Sequence, residues 1–153
     1  MSIYENISKL NLTIPKAPDP VGSYVAYKKT SNYLYISGQI SIDADGKITK
    51  GKLGKNLSIE QGQAAAKLCA INIIAQVKKA CNNKLENILG CIKLTGYVNS
   101  TDEFYDQPKV INSASELISA IFTEGGKHVR AAISANSLPL NAAVEIDAIF
   151  ELK

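Results

Sequence analysis

The chain has no tryptophan, a single histidine, His128, and one arginine, Arg130, among 17 basic residues. Without a tryptophan or an aromatic series spaced for base stacking, a single-stranded nucleic-acid platform has little to build on. The three cysteines, Cys69, Cys81 and Cys91, are widely spaced and form no C-x-x-C pair. With one histidine beside them they argue against a zinc site or a disulfide framework. No apolar run approaches the ~20 residues of a membrane-spanning helix. The opening Met1-Ser2-Ile3-Tyr4-Glu5-Asn6 lacks the basic-then-apolar pattern of a secretion signal. These absences set the expectation of a cytoplasmic protein without metal, cofactor or membrane partner.

Hydrophobic residues make up 46% of the 153 residues, enough to bury one ordinary core, so one domain over residues 1–153 is expected. The net charge of +3 is mild. Lys47, Lys50, Lys52 and Lys55 are interleaved with Gly46, Gly51 and Gly54 and read as a solvated loop rather than a nucleic-acid site.

Residues 1–20 read as a lead-in arm: a partial helix, then an extended segment broken by Pro15, Pro18 and Pro20. Residues 23–28 and 33–37 have strand composition around a Thr30-Ser31-Asn32 turn. Gly38, at the end of the second strand, marks a bulge or a close backbone approach. Asp45-Gly46 allows another hairpin over residues 40–49. Ser58-Ile59-Glu60-Gln61 matches a capping box, and a helix with an apolar face follows to about Cys81. Residues 91–99 alternate as a strand with one buried face. A second long helix spans about 108–123, with Gly125-Gly126 as a left-handed stop. Two strands close the chain, 129–136 and 143–152, around a Leu138-Pro139-Leu140 corner. The order β-β-(β)-α-β-α-β-β indicates an α+β fold with a mixed sheet.

Arg130 stands out because lysine serves solubility equally well but cannot grip a carboxylate with a planar two-pronged fork. Two roles fit it: a seat for a small carboxylate or phosphate, and a structural ion pair. Glu145 lies on the last strand, on the side opposite Val144 and Ile146. If the last two strands pair around the corner, it approaches Arg130 and can position water or move protons. Ser37-Gly38 can present backbone N–H groups to an oxygen. His128 shares the strand parity of Arg130.

Gly22-Ser23-Tyr24-Val25, Ser37-Gly38-Gln39-Ile40, Arg130 with Leu138-Pro139 eight residues on, and Glu145 fifteen after the arginine resemble the RidA/YjgF family of reactive-intermediate deaminases. The same proteins are also labelled L-PSP endoribonucleases. The resemblance covers residues 15–153. It implies a fold like chorismate mutase, with a sheet backed by two helices, and a homotrimer with clefts between subunits. It implies hydrolysis of 2-imino or enamino acids to 2-keto acids and ammonia, with no cofactor and no metal. By the same resemblance Arg130 clamps the substrate carboxylate, helped by the backbone of Ala132. Glu145 activates water, and Tyr24, Ser37, Gly38 and Asn112 line the pocket. The chain departs from the pattern where the usual arginine-serine-cysteine run reads Arg130-Ala131-Ala132, and the segment 105–113 is longer than usual before the second helix, which marks a divergent branch. An endoribonuclease and a non-catalytic keto-acid-binding trimer are the alternatives.

Overall fold

The computed structural model describes all 153 residues. Helix α1 (Ile3–Lys9) opens the chain with a capping box between Ser2 and Glu5. Strands β1 (Tyr27–Thr30) and β2 (Tyr33–Ile40) form the expected hairpin, although residues 23–26 are not strand. The 40–49 segment makes only one isolated bridge, Ile42 to Ile48, so the bracketed extra strand does not form.

Helix α2 (Ile59–Ala80) starts where the sequence places it. Ser58 accepts from the Gln61 backbone at 3.2 Å, and the Gln61 side chain accepts from the Ser58 N–H at 2.8 Å. Strand β3 (Ile88–Asn99) leads through helix α3 (Gln107–Phe122) to β4 (Val129–Ala135), and β5 (Val144–Leu152) ends the chain. The stop of α3 departs from expectation. Thr123, not a glycine, carries the positive φ, 53° with ψ −122°, so the helix ends without a left-handed helical residue. Gly125 is required for close approach instead, because a Cβ there would stand 2.2 Å from the Leu89 carbonyl oxygen.

The sheet order is β1-β2-β5-β3-β4. Strands β3 and β4 run parallel, as a strand-helix-strand crossover requires, and the other pairs are antiparallel. The final two strands therefore do not pair, because β3 lies between them. Helices α2 and α3 cover one sheet face and bury Leu94, Val98, Ile146 and Phe150 beneath them. Phe122 packs on Phe150 with ring centroids 5.6 Å apart, a tilted pair worth about 0.5–1.5 kcal/mol beyond its buried area. The opposite face carries no helix and leaves Tyr33, Tyr35, Val129 and Ile133 exposed. A third helix, α1, is pinned to the end of α3 by the buried Asn6 amide, which donates to the Ile121 carbonyl at 2.9 Å.

Gly96 lets α3 lie close on β3. A Cβ there would come within 2.6 Å of Ile111 Cδ1. Gly96→Ala is expected to cost about 1–3 kcal/mol by overpacking. Urea unfolding monitored by circular dichroism would measure it.

Candidate active site

Glu145 sits on β5, paired with Ile40 of β2 on one side and Tyr97 of β3 on the other. Opposite it β2 is bulged. Ile36 pairs with Ala148 and Gln39 with Ile146, so Ser37 and Gly38 together face Asp147. An extra residue of this kind bends the strand and re-aims what lies beside it. The Glu145 carboxyl uses the room. A Cβ on Gly38 would stand 2.1 Å from Glu145 Oε1. Both possibilities drawn for this glycine, bulge and close approach, hold at once.

A cavity of about 150 Å³ opens in front of Glu145. Its walls are the arm around Pro20, Val21 and Tyr24, the β2 end at Gly38 to Ile40, and Pro139-Leu140. Leu140 has φ 58° and Asn141 also φ 58°, two consecutive left-handed residues that turn the corner into this wall. A shallower groove, lined by Tyr24, Tyr35, Gly38, Glu145 and Asp147, leads onto the uncovered sheet face. Tyr24 is about half exposed, and its hydroxyl has no hydrogen-bond partner within the chain. Ser37 has another role. Its hydroxyl donates to the Val25 carbonyl at 2.7 Å and its N–H to the Ala26 carbonyl at 2.9 Å, fastening the arm to the bulge.

The site's frame rests on buried amides to which the sequence reading assigned no role. Asn72 donates to the Ile40 and Ile42 carbonyls at 3.3 and 2.9 Å, and Gln76 donates to the Pro18 carbonyl at 2.6 Å. Both lie on α2, four residues apart beside its apolar stripe. Two amides at that spacing on a burying face are the signal that could have found them.

Burial raises the Glu145 pKa above the ordinary carboxylate value, and the nearby Asp147 charge adds to the shift. Asp147 Oδ2 accepts from the Tyr97 hydroxyl at 3.1 Å. Tyr97 is raised too, by burial first and then by Asp147. A half-buried carboxyl with a raised pKa suits a group that takes and returns a proton. Asp147→Asn is expected to move the acidic limb of a Glu145-dependent pH–rate profile to lower pH, since a like charge is removed. The limb should stay above an ordinary glutamate's, because burial is the larger cause and remains. A kcat/KM profile on both proteins would measure this.

Arg130 occupies the edge strand β4, opposite Leu94 on β3. Paired residues share a face, so the guanidinium lies on the helix side. There Nη1 donates to Asn112 Oδ1 at 2.9 Å and to Ser115 Oγ at 3.2 Å, both on α3. Arg130 joins none of the chain's ion pairs, which link Lys79 to Asp19, Lys109 to Asp106 and Lys127 to Glu124. The structural-ion-pair role is therefore excluded within the chain. Asn112 lands against the arginine, and Ala132 lies on the same face two residues on, packed toward the core.

The expected approach of Arg130 to Glu145 within one chain does not occur. Glu145 pairs with Tyr97, three residues from Leu94, and so faces the uncovered side. Neither hollow lined by Glu145 includes Arg130. The cause is topological: β3 separates the two strands, and the odd offset puts the two side chains on opposite faces.

The comparisons decide the family. A family model described as "YjgF/chorismate mutase-like, putative endoribonuclease" matches residues 6–152. The chain belongs to the RidA/YjgF family. Protein TCP17 of Trypanosoma cruzi is 38% identical over 148 residues, which cover 96% of this chain and 92% of that protein. The crystal structure of Atu1372 from Agrobacterium tumefaciens, a protein described as having unknown function, superposes with a TM-score of 0.90 at 43% identity, covering 99% of this chain and 94% of that one. RidA from an Antarctic Psychrobacter superposes less closely, with a TM-score of 0.61 and 27% identity, over 90% of this chain and 94% of its own. Within the family, then, this chain lies nearer Atu1372 in structure than that RidA. The α+β sheet-and-helix architecture is the family's, with a third helix at the N-terminus. No helix is long and apolar enough to cross a membrane.

Proposed function

We propose that this RidA/YjgF protein hydrolyses small 2-imino or enamino acids to 2-keto acids and ammonia, in clefts formed between copies of a homotrimer. The observation that carries the proposal is a half-buried arginine, braced by α3, that no carboxylate of its own chain neutralises. Such a fork is matched to a small carboxylate.

The opposite-face placement of Arg130 and Glu145 supports the intersubunit cleft. One chain offers a free cation at its edge strand. It also offers Glu145 and Asp147 on a sheet face with exposed Tyr33, Tyr35 and Ile133. The apolar face gives a neighbouring copy something to cover, and the opposite charges give it a register. Seating the face of one copy on the edge of the next brings the two halves of the site together.

The chemistry then follows from the groups. Arg130 holds the substrate carboxylate and fixes the adjacent imine carbon. Glu145, as carboxylate, takes a proton from water while the oxygen bonds to that carbon, and passes the same proton to the imine nitrogen, which leaves a neutral carbinolamine. Glu145 then takes the carbinolamine's hydroxyl proton and delivers it to the amino nitrogen as the C–N bond breaks, which releases ammonia and leaves the keto oxygen. An imine is electrophilic enough that the proposal requires no cofactor. Ala131 and Ala132 bring no polar side chains, so help with the carboxylate at these positions would come from the backbone. Tyr24 and the apolar arm and corner would enclose the substrate side chain.

The test is an assay with imines generated in place by an amino-acid oxidase, following keto acid and ammonia release. No acceleration over the uncatalysed rate would remove the proposal. Keto-acid binding without turnover would favour a non-catalytic binding trimer. RNA cleavage by protein freed of contaminating nuclease would favour the endoribonuclease named in the family's description. That activity would have to manage with an imidazole, His128, whose two ring nitrogens already contact Gly126 and Ser115.

A further inference from the structure

We propose that Ser115 and His128 are positioning residues for Arg130, joined to it in one hydrogen-bond chain of fixed polarity. This rests on reading Arg130 as the carboxylate seat. The polarity can be followed atom by atom. His128 Nδ1 lies 2.6 Å from the Gly126 carbonyl oxygen, which only accepts, so Nδ1 carries the proton. In the neutral ring Nε2 is then an acceptor, and the Ser115 hydroxyl, 2.9 Å away, donates to it. With its proton committed to the ring, Ser115 Oγ turns a lone pair toward Arg130 Nη1, 3.2 Å away. The second Nη1 proton goes to Asn112 Oδ1 at 2.9 Å.

Both protons of Nη1 are thus held by α3, while Nη2 and Nε have no partner in the chain. Their parallel N–H groups form the edge that receives a carboxylate in a two-pronged pair. The far end of the chain is rigid as well. Ser119 Oγ donates to the same Gly126 carbonyl at 3.3 Å, and a Cβ on Gly126 would stand 2.5 Å from Ser119 Cα, so this turn is closely packed against α3. An arginine side chain has several rotatable bonds, and fixing it beforehand lowers the ordering cost that binding would otherwise carry. Ser115 reads the imidazole on one side and the guanidinium on the other, so the aim of Arg130 depends on His128 without the two touching.

The experiment combines affinity, kinetics and NMR on the whole protein. Pyruvate, a small 2-keto acid, serves as the binding probe. Ser115→Ala and His128→Ala are each expected to weaken pyruvate binding and raise the imine KM about 3- to 10-fold, the worth of one hydrogen bond, with kcat nearly unchanged. Ser115→Thr, which keeps the hydroxyl, is expected to restore both. Nitrogen-15 spectra should show His128 protonated at Nδ1 and slowed rotation of the Arg130 guanidinium, with the slowed rotation lost in Ser115→Ala. An Nε2-protonated ring, unchanged pyruvate affinity in both alanine variants, a loss in kcat alone, or failure of threonine to rescue would each overturn the proposal. If wild-type protein binds no pyruvate, the carboxylate seat falls and the positioning role with it. If pyruvate binds but imines are not hydrolysed, only the activity falls, and the binding series still decides the role of Ser115 and His128.

Discussion

Arg130→Ala should lower kcat/KM for small imino acids by at least ~30-fold, since losing a desolvated charge-assisted clamp costs about 2–5 kcal/mol and ~1.4 kcal/mol is tenfold in rate. A Lys at this position should recover little, because an ammonium cannot reproduce the two parallel N–H bonds of a guanidinium edge or the grip of Asn112 and Ser115 on Nη1. The sharper result concerns mixtures. Arg130 and Glu145 lie on opposite faces of the sheet in one chain, so a site that uses both must draw them from two copies. Arg130→Ala and Glu145→Gln subunits, each strongly impaired alone, should therefore complement each other when unfolded together and reassembled. Random mixing at equal amounts leaves both groups intact in about a quarter of intersubunit sites, so about a quarter of wild-type activity should return. No recovery from a verified mixed trimer would place both groups in one subunit's site or remove one of them from catalysis. Recovery is hard to explain in any other way, since neither variant carries a complete set.

The sequence made part of this geometry legible because some signals are local. The Ser58 and Gln61 capping box depends on four consecutive residues and needs no knowledge of the fold. The isolation of Arg130 is likewise a fact of composition, and its freedom from ion pairs in the structure follows the same direction. Gly38 was readable as a site of close approach, although not as the seat of the Glu145 carboxyl. What was not legible depends on the crossover. The insertion of β3 between β4 and β5 is a consequence of the β3-α3-β4 unit packing α3 on the sheet. Nothing in the 129–136 and 143–152 segments themselves distinguishes that arrangement from a hairpin. Once β3 intervenes, the faces of Arg130 and Glu145 are set by strand offsets that only the register reveals. The stop of α3 failed for a related reason. Gly125 and Gly126 answer to the crowding of β3 and α3 around them, not to a left-handed backbone, and the positive φ at the helix end falls on Thr123. Ser115 and His128 are thirteen residues apart in sequence, and only the return of β4 beside α3 joins them.

Glu145→Gln should lose about 10²- to 10⁴-fold in kcat, the usual contribution of a positioned acid–base group, while the fold becomes more stable at neutral pH. The two effects have one cause. In the folded chain the Glu145 pKa is raised, by burial and then by Asp147, so ionising this side chain is harder there than in the unfolded chain. For a group raised in this direction, the contribution to stability is fully present below the unfolded value and is lost as pH rises through the folded value. Wild-type protein thus carries, at pH ~7–8, a cost that a glutamine, which cannot ionise, does not. Thermal melts should show the variant above wild type at pH ~8, with the gap closing toward pH ~4, where both side chains are neutral. The acidic limb of the kcat/KM profile should vanish with the same substitution. Gly38→Ala separates position from charge. It keeps the carboxyl but drives a methyl group to where Oε1 now lies, so it should depress activity without abolishing the acidic limb. A glutamine variant of full activity would remove Glu145 from the reaction. A variant that is inactive but no more stable at pH ~8 would mean that the raised pKa is relieved when neighbouring copies assemble around it, which melts across a concentration series would reveal.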